Sequence, residues 1–313
     1  MSTNGGQHTR PILCVDIGGT STKIGLFEQS PPVEIIDSLP SSGPASSFME
    51  ALCTRIRAVL NTKSGHPVFG LAVAVAGFLD ENRDRMIYNP NLPWLENYPL
   101  RAHLAREFET RVELEVDSNA AAQAEQRFGS GQDSKRFLCI AVGTGLGVGM
   151  IIGGEPLRFS YGCLGDAGHV VIQRDGPLCP CGGRGCAEIF VSAPVLAEQY
   201  RAARRLDAPT SLRDVILAAR HGDQAAIEVL DTAGGWLGVA SASLANIFFP
   251  DRIAFAGGLA EAGDFVMTGL RRTFETSASQ FARDQVTLCR ATLGANATIT
   301  GAACAFISAE HAG

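Results

Sequence analysis

ILCVDIGGTSTKIGLFE, residues 12 to 28, reads as strand, glycine turn, strand. An apolar run stops at Gly18 and Gly19, and a second short apolar stretch follows with Ile24, Leu26 and Phe27. FLCIAVGTGLGVGMIIGG, residues 137 to 154, repeats the design around the turn VGTGLG. A strand, a small Gly/Thr turn and a returning strand, twice, about half the chain apart, predict two lobes on one plan.

Between and after these hairpins, helical and strand patterns alternate. Helices are expected at 45–62, 98–109, 119–129, 187–204, 211–219, 223–248 and 264–281, with a closing helix from TITGAACAFISAE; Asn119 is the expected N-cap of the third. Strands are expected at VFGLAVAVAG (68–77), VELEVD (112–117), RIAFAG (252–257) and VTLCRA (286–291). Strands alternating with helices mean an α/β fold. No linker rich in Pro, Ser or charge separates the halves, so a boundary near 120–135 is expected to be a hinge.

Bulk properties narrow the function. The chain has 313 residues, 46% hydrophobic, with 26 Lys plus Arg against 32 Asp plus Glu and a formal charge of −6. That balance does not suit nucleic acid or an anionic membrane as partner. The polar opening MSTNGGQHTR has no secretory core, and no stretch has eighteen unbroken apolar residues, so a cytoplasmic location is expected. Of nine cysteines, six are scattered, several in apolar runs; Cys179, Cys181 and Cys186 alone look arranged, with His169 ten residues before the first.

In DIGGTSTK, Asp16 ends a strand ahead of Gly18, Gly19, Thr20, Ser21, Thr22 and Lys23. Such a turn bares backbone N–H groups to phosphate oxygens and adds hydroxyl donors, with Asp16 holding a Mg²⁺ shell. A plain β-hairpin is the alternative, but Gly143, Thr144 and Gly145 supply a second cradle. Gly257 and Gly258, in FAGGLAEAG, permit close approach of a flat ring and are a weak signal alone.

The order DIGGTSTKIG, VDSNAAAQAE, AVGTGLGVG, GHxxxxxxxxxCPCGGRGCAE and AGG before a helix resembles the ROK family of sugar kinases and sugar-responsive repressors, within the actin-like ATPase superfamily. The likeness spans about residues 12 to 307. It implies two RNase H-like lobes around a central cleft: residues 1–125, with helix 298–313 packing back on them, and residues 126–297, with a zinc-binding loop. ATP would lie on both glycine turns and a sugar at the hinge. Asp117 matches the family's catalytic Asp, which accepts the proton of a sugar hydroxyl, expected to be the 6-hydroxyl, as it attacks the γ-phosphate. An Asp before a helix is otherwise a common cap. An ordinary carboxylate pKa would suffice, because the proton leaves late. His169, Cys179, Cys181 and Cys186 form a closed tetrahedral set suited to structural Zn²⁺, which leaves no place for a metal-bound water. The resemblance implies that this metal fixes the loop delivering His169 and Glu188 to the sugar. Gly77 matches the sugar-side turn, and Asn91 and Trp94, in NPNLPW, border the site or serve as cap and core. A homodimer or homotetramer is expected, with helix 234–249 packing at the interface or in the core.

Two positions depart from the family pattern on the sugar side. Val116 stands where Asn usually precedes the catalytic Asp, and Asp166 stands where Glu usually lies three residues before the histidine. A sugar hydroxyl left unpaired costs roughly 1–3 kcal/mol, and Asp is one methylene shorter. These changes point to a hexose other than ordinary glucose, an amino, N-acetyl or epimeric one, unless neighbours compensate. A sugar-sensing regulator is the alternative in another class, but only about eleven residues precede the first strand, too few for a helix-turn-helix. A zinc hydrolase is disfavoured by the filled coordination set, and an actin-like ATPase with a protein client would not need the His/Cys cluster.

Overall fold

The structure, a computed structural model, describes residues 10–28, 30–64 and 68–311. Most of the polar opening segment lies outside them. The chain divides into two compact units. The first takes the chain to Phe128, Pro156–Gly165 and the chain from Asn296; the second takes Gly129–Glu155 and Asp166–Ala295. The stretch Pro156–Gly165, expected in the second lobe, therefore packs with the first.

In the first unit the strands are β1 (Ile12–Ile17), β2 (Ser21–Phe27), β3 (Glu34–Pro40), β4 (Gly70–Val75) and β7 (Val112–Val116), in the order β3-β2-β1-β4-β7. A small hairpin, β5 (Phe78–Leu79) and β6 (Met86–Tyr88), lies apart from this sheet. Helices α1 (Ala45–Val59), α2 (Leu100–Phe108) and α3 (Asp117–Phe128) join the closing α10 (Ala297–His311). β1 and β4 are buried along their whole length because both faces are covered. Alternation sorts β1: Leu13 and Val15 join Phe48, Leu52 and Leu104 in one core, while Ile12 and Cys14 join Ala120, Ile299 and Phe306 in the other.

β1, β4 and β7 are parallel. Their C-terminal ends therefore share one sheet edge, which gathers the Gly18 turn, Gly77 and Asp117. In open α/β sheets this is the edge where ligands bind.

The second unit repeats the plan. β8 (Arg136–Val142), β9 (Leu146–Ile152), β10 (Glu155–Pro156), β11 (Arg252–Ala256) and β12 (Thr287–Arg290) run β10-β9-β8-β11-β12, with β8 and β9 antiparallel and β8, β11 and β12 parallel. Its helices are α4 (Glu188–Val191), α5 (Ala193–Arg204), α6 (Leu212–Arg220), α7 (Gln224–Phe248), α8 (Asp264–Ser277) and α9 (Gln280–Gln285). The expected helix 187–204 is two helices: Ser192 is extended, and Pro194 in the first turn of α5 could not continue from α4. The expected helix 264–281 ends at Ser277, and the Ser279 side chain caps α9. Asn119 is no cap; it lies inside the first turn of α3.

The small residues of α7 are used inside the unit. A Cβ on Gly234 would lie 2.1 Å from the Val266 carbonyl of α8, and one on Gly238 would lie 2.6 Å from that of Leu270. Among the described residues, no helix is long and apolar enough to cross a membrane. Gly234→Ala is expected to destabilise the fold by about 1–3 kcal/mol through overpacking, read as a lower urea midpoint with unchanged slope.

Candidate active site

The first unit carries the first glycine turn and two buried carboxylates. Asp16, 7% exposed, sits near the end of β1 opposite Lys23 of β2, whose Nζ lies 3.3 Å from its Oδ2. The turn between them closes with the Gly18 N–H donating to the Ser21 carbonyl at 3.1 Å. Thr20 and Ser21 are exposed on it. Thr22 is not: fully buried, its hydroxyl pairs with that of Ser41 at 2.8 Å, so it braces the turn. A Cβ on Gly19 would meet Asn91 Cβ at 3.1 Å, which places Asn91 beside the phosphate-type turn. Asn91 N–H donates to Asn89 Oδ1 at 2.8 Å. Gly77 has φ +102° and no room for a Cβ, which would lie 2.4 Å from the Tyr88 carbonyl. Trp94 packs on Phe48 with ring centroids 4.8 Å apart, a core residue.

Asp117 opens α3 directly after β7, and its Oδ1 accepts from the Ser118 N–H at 2.7 Å. Burial, then the negative charge of Asp16, push its pKa up to about 7 against that hydrogen bond. An ordinary carboxylate would suffice for the expected role, and the buried one here lies above that range. Asp16 is itself raised by burial, with Lys23 opposing. Two carboxylates that each disfavour the other's charge fit a site that receives a divalent cation, since a cation relieves both.

Val116 does not present a surface to a ligand. It is 3% exposed and belongs to the same hydrophobic core as Leu79 and Cys163. The strand's alternation puts its neighbour Glu115 on the other side, a residue the sequence reading passed over. Glu115 is 1% exposed and accepts from Asn119 Nδ2 at 3.1 Å, Gln123 Nε2 at 3.3 Å and the guanidinium groups of Arg83 and Arg158. Asn119 and Gln123 lie one turn apart on α3, while Glu115 sits on β7 and the two arginines come from distant sequence. Asn119 Nδ2 also donates to the Gly162 carbonyl at 2.7 Å, fastening Pro156–Gly165 to this unit.

The second unit carries the other turn and the cysteine loop. Gly143 N–H donates to the Gly145 carbonyl at 2.9 Å, and Thr144 is exposed at the tip. Ala193, first residue of α5, donates its N–H to the Gly143 carbonyl at 2.8 Å. The Leu146 N–H donates to Glu188 Oε2 at 2.8 Å. Gly257 has φ +80°, and a Cβ there would lie 2.4 Å from the Val142 carbonyl, so the β8 backbone demands this glycine, not a ligand ring. Gly258 is exposed, and a Cβ there would lie 3.7 Å from Leu212 Cδ2. A cavity of about 420 Å³ opens between α5 and the chain leading to α6, lined by Pro194, Ala197, Arg201, Asp207 and Thr210 among others.

His169 faces two ways. Its Nδ1 is 3.6 Å from Cys179 Sγ, while its Nε2 is 3.8 Å from Asp166 Oδ2 and 4.0 Å from Glu188 Oε1. Asp166 is half exposed. The donor atoms of His169, Cys179, Cys181 and Cys186 all lie within 4.8 Å of one another, with Cys181 and Cys186 sulfurs 3.7 Å apart. Thiolates bonded at about 2.3 Å to a tetrahedral ion stand roughly 3.8 Å apart, so the donor set fits zinc. Burial and neighbouring sulfurs push the Cys186 thiol up to about 12, which an ion would reverse. Gly185, at φ +67°, lets the loop close: a Cβ there would lie 1.7 Å from the Gln173 carbonyl.

The profile of the ROK family matches residues 12–309. The chain belongs to the ROK family. This ROK protein is 30% identical over 306 residues to a glucokinase of Halalkalibacterium halodurans, covering 92% of each chain. It is 26% identical over 239 residues to the xylose repressor of Bacillus subtilis, covering 76% of this chain and 61% of the repressor. The crystal structure of a ROK family glucokinase from Streptomyces griseus, in complex with glucose and AMPPNP, matches with a TM-score of 0.84 and 28% identity, over 94% of this chain and 98% of that one. The fold is the α/β, actin-like ATPase fold of the ROK glucokinases.

The raised Asp117 pKa sets a stability prediction. The folded state holds a proton that the unfolded chain releases near pH 4, so stability falls as pH rises from about 4 to 7. Asp117→Asn removes this penalty. The variant is expected to gain on the wild type across that window and stay level above it, by at most ~4 kcal/mol, in urea melts at pH 5 and pH 8.

Proposed function

We propose that this ROK protein is an ATP-dependent hexose kinase. Asp117 carries the reading: a carboxylate at the head of a helix, on the same strand edge as Asp16 and the first glycine turn, with a pKa pushed up to about 7. A base poised there accepts a proton effectively at neutral pH. The sugar's 6-hydroxyl gives its proton to Asp117 as its oxygen forms a bond to the γ-phosphorus. The bond from that phosphorus to the bridging oxygen breaks, and ADP leaves with the electron pair.

Thr20, Ser21 and the backbone N–H groups of the first turn serve the phosphates, together with Gly143, Thr144 and Gly145 of the second. Mg²⁺, held through Asp16, neutralises charge on the phosphates when bound. Lys23 holds the Asp16 carboxylate in place. The cavity beside α5 is assigned to the nucleoside, because α5 starts on the Gly143 turn and α6 borders Gly258.

Gly77, Asn91, Asp166, His169 and Glu188 are assigned to the sugar, with Zn²⁺ as a structural ion on the cysteine loop. Valine at 116, packed in the core, leaves a ring hydroxyl without the family's usual amide, and the half-exposed Asp166 reaches less far than Glu. These features favour an amino, N-acetyl or epimeric hexose over glucose. Retention of Asp16 and Asp117 favours a kinase over a sugar-sensing regulator.

ADP release at saturating Mg-ATP, across glucose, mannose, fructose, allose, glucosamine, kanosamine, N-acetylglucosamine and N-acetylmannosamine, tests the reading. One preferred sugar is expected, with kcat lowered about 10²- to 10⁴-fold in Asp117→Asn. No turnover by folded, metal-loaded protein would overturn the kinase and favour a sugar-binding regulator. For the metal, a thiol-reactive mercurial in the presence of a zinc indicator is expected to release about one Zn²⁺ per chain, and the stripped protein to melt at lower temperature.

A further inference from the structure

Glu188 touches both halves of what the second unit offers. One carboxylate oxygen accepts the Leu146 N–H at 2.8 Å, directly after the glycine turn. The other stands 4.0 Å from His169 Nε2, on the side of the imidazole turned away from the cysteines. The turn is fitted to this carboxylate: a Cβ on Gly145 would come within 2.5 Å of Glu188 Oε2. The Leu146 carbonyl in turn lies close against Gly168, where a Cβ would come within 2.3 Å of it. Both ends of the Leu146 backbone are thus seated against the segments that carry His169 and Glu188.

We propose that Glu188 is a positioning residue that couples sugar binding to nucleotide binding, by holding the Gly143–Gly145 turn through the Leu146 N–H while its other oxygen faces the sugar with His169. The proposal rests on the sugar-kinase reading and adds a second duty to a residue assigned there only to the sugar. A sugar hydroxyl that orders Glu188 Oε1 orders Oε2 with it, because the two oxygens share one rigid plane. The turn is then set for phosphate before nucleotide arrives. By linkage the effect is reciprocal: nucleotide on the turn must tighten sugar by the same factor.

The test crosses the readouts. Gly145→Ala lies in the phosphate turn, and the atom its methyl displaces is the movable end of a side chain, so the fold tolerates it. Its affinity for the preferred panel sugar is measured by calorimetry with no nucleotide present. Glu188→Asp withdraws the carboxylate from the turn, and its affinity for AMPPNP is measured with no sugar present. Expected are losses of about tenfold in each crossed affinity, and a wild-type sugar affinity about 5- to 150-fold tighter with AMPPNP than without. Sugar affinity within twofold of wild type in Gly145→Ala, or nucleotide affinity within twofold in Glu188→Asp, would overturn the coupling while leaving the kinase reading intact. Failure of the wild type to bind any panel sugar would overturn the kinase reading, and the coupling with it. Zinc content and circular dichroism matching wild type certify each variant.

Discussion

Parallel strands end on the same edge, and this constraint places the chemistry. In the first unit β1, β4 and β7 run together, so the glycine turn after Ile17, the tight turn at Gly77 and the head of α3 at Asp117 are neighbours, although about a hundred residues separate the first from the last. The second unit obeys the same rule: β8 and β11 are parallel and end at Gly143 and Gly257. Helices on both faces bury these sheets, so the strand ends are where functional groups can emerge. Asp16 and Asp117 then share one poorly solvated neighbourhood, and their mutual repulsion follows from topology.

Much of this was legible in the residues. The two hairpins of like design became the two antiparallel pairs β1-β2 and β8-β9, because an apolar run interrupted by small turn residues has few other ways to bury itself. The His/Cys set was legible because ligand spacing is local: the loop from His169 to Cys186 brings its own donors together. The edge β3 was less visible, since EIIDSLP mixes exposed and half-buried positions and carries no clean alternation. Pro194 and Ser279, which break two expected helices, were visible letters whose weight the apolar periodicity around them obscured.

What could not be read were interactions between distant segments. Glu115 looked like an ordinary strand residue, yet Arg83 and Arg158 converge on it from a β-hairpin and from the crossing stretch Pro156–Gly165. Burying that carboxylate without its guanidinium partners would cost several kcal/mol, so its identity is fixed by residues no local pattern connects. Thr22 shows the reverse case. It stands among hydroxyl residues of a phosphate-type motif, but strand alternation turns it inward to Ser41, leaving Thr20 and Ser21 on the open side. Motif membership named the turn; the pleat decided which members face out.

The burial of Val116 also bears on which substitutions the fold accepts there. An asparagine introduced there would carry its amide into a space that the fold gives to a branched apolar side chain, 3% exposed and part of the hydrophobic core. The apolar surroundings that accept valine therefore penalise an amide at this position. Positions 91 and 166 are exposed, so polar exchanges there meet no such penalty.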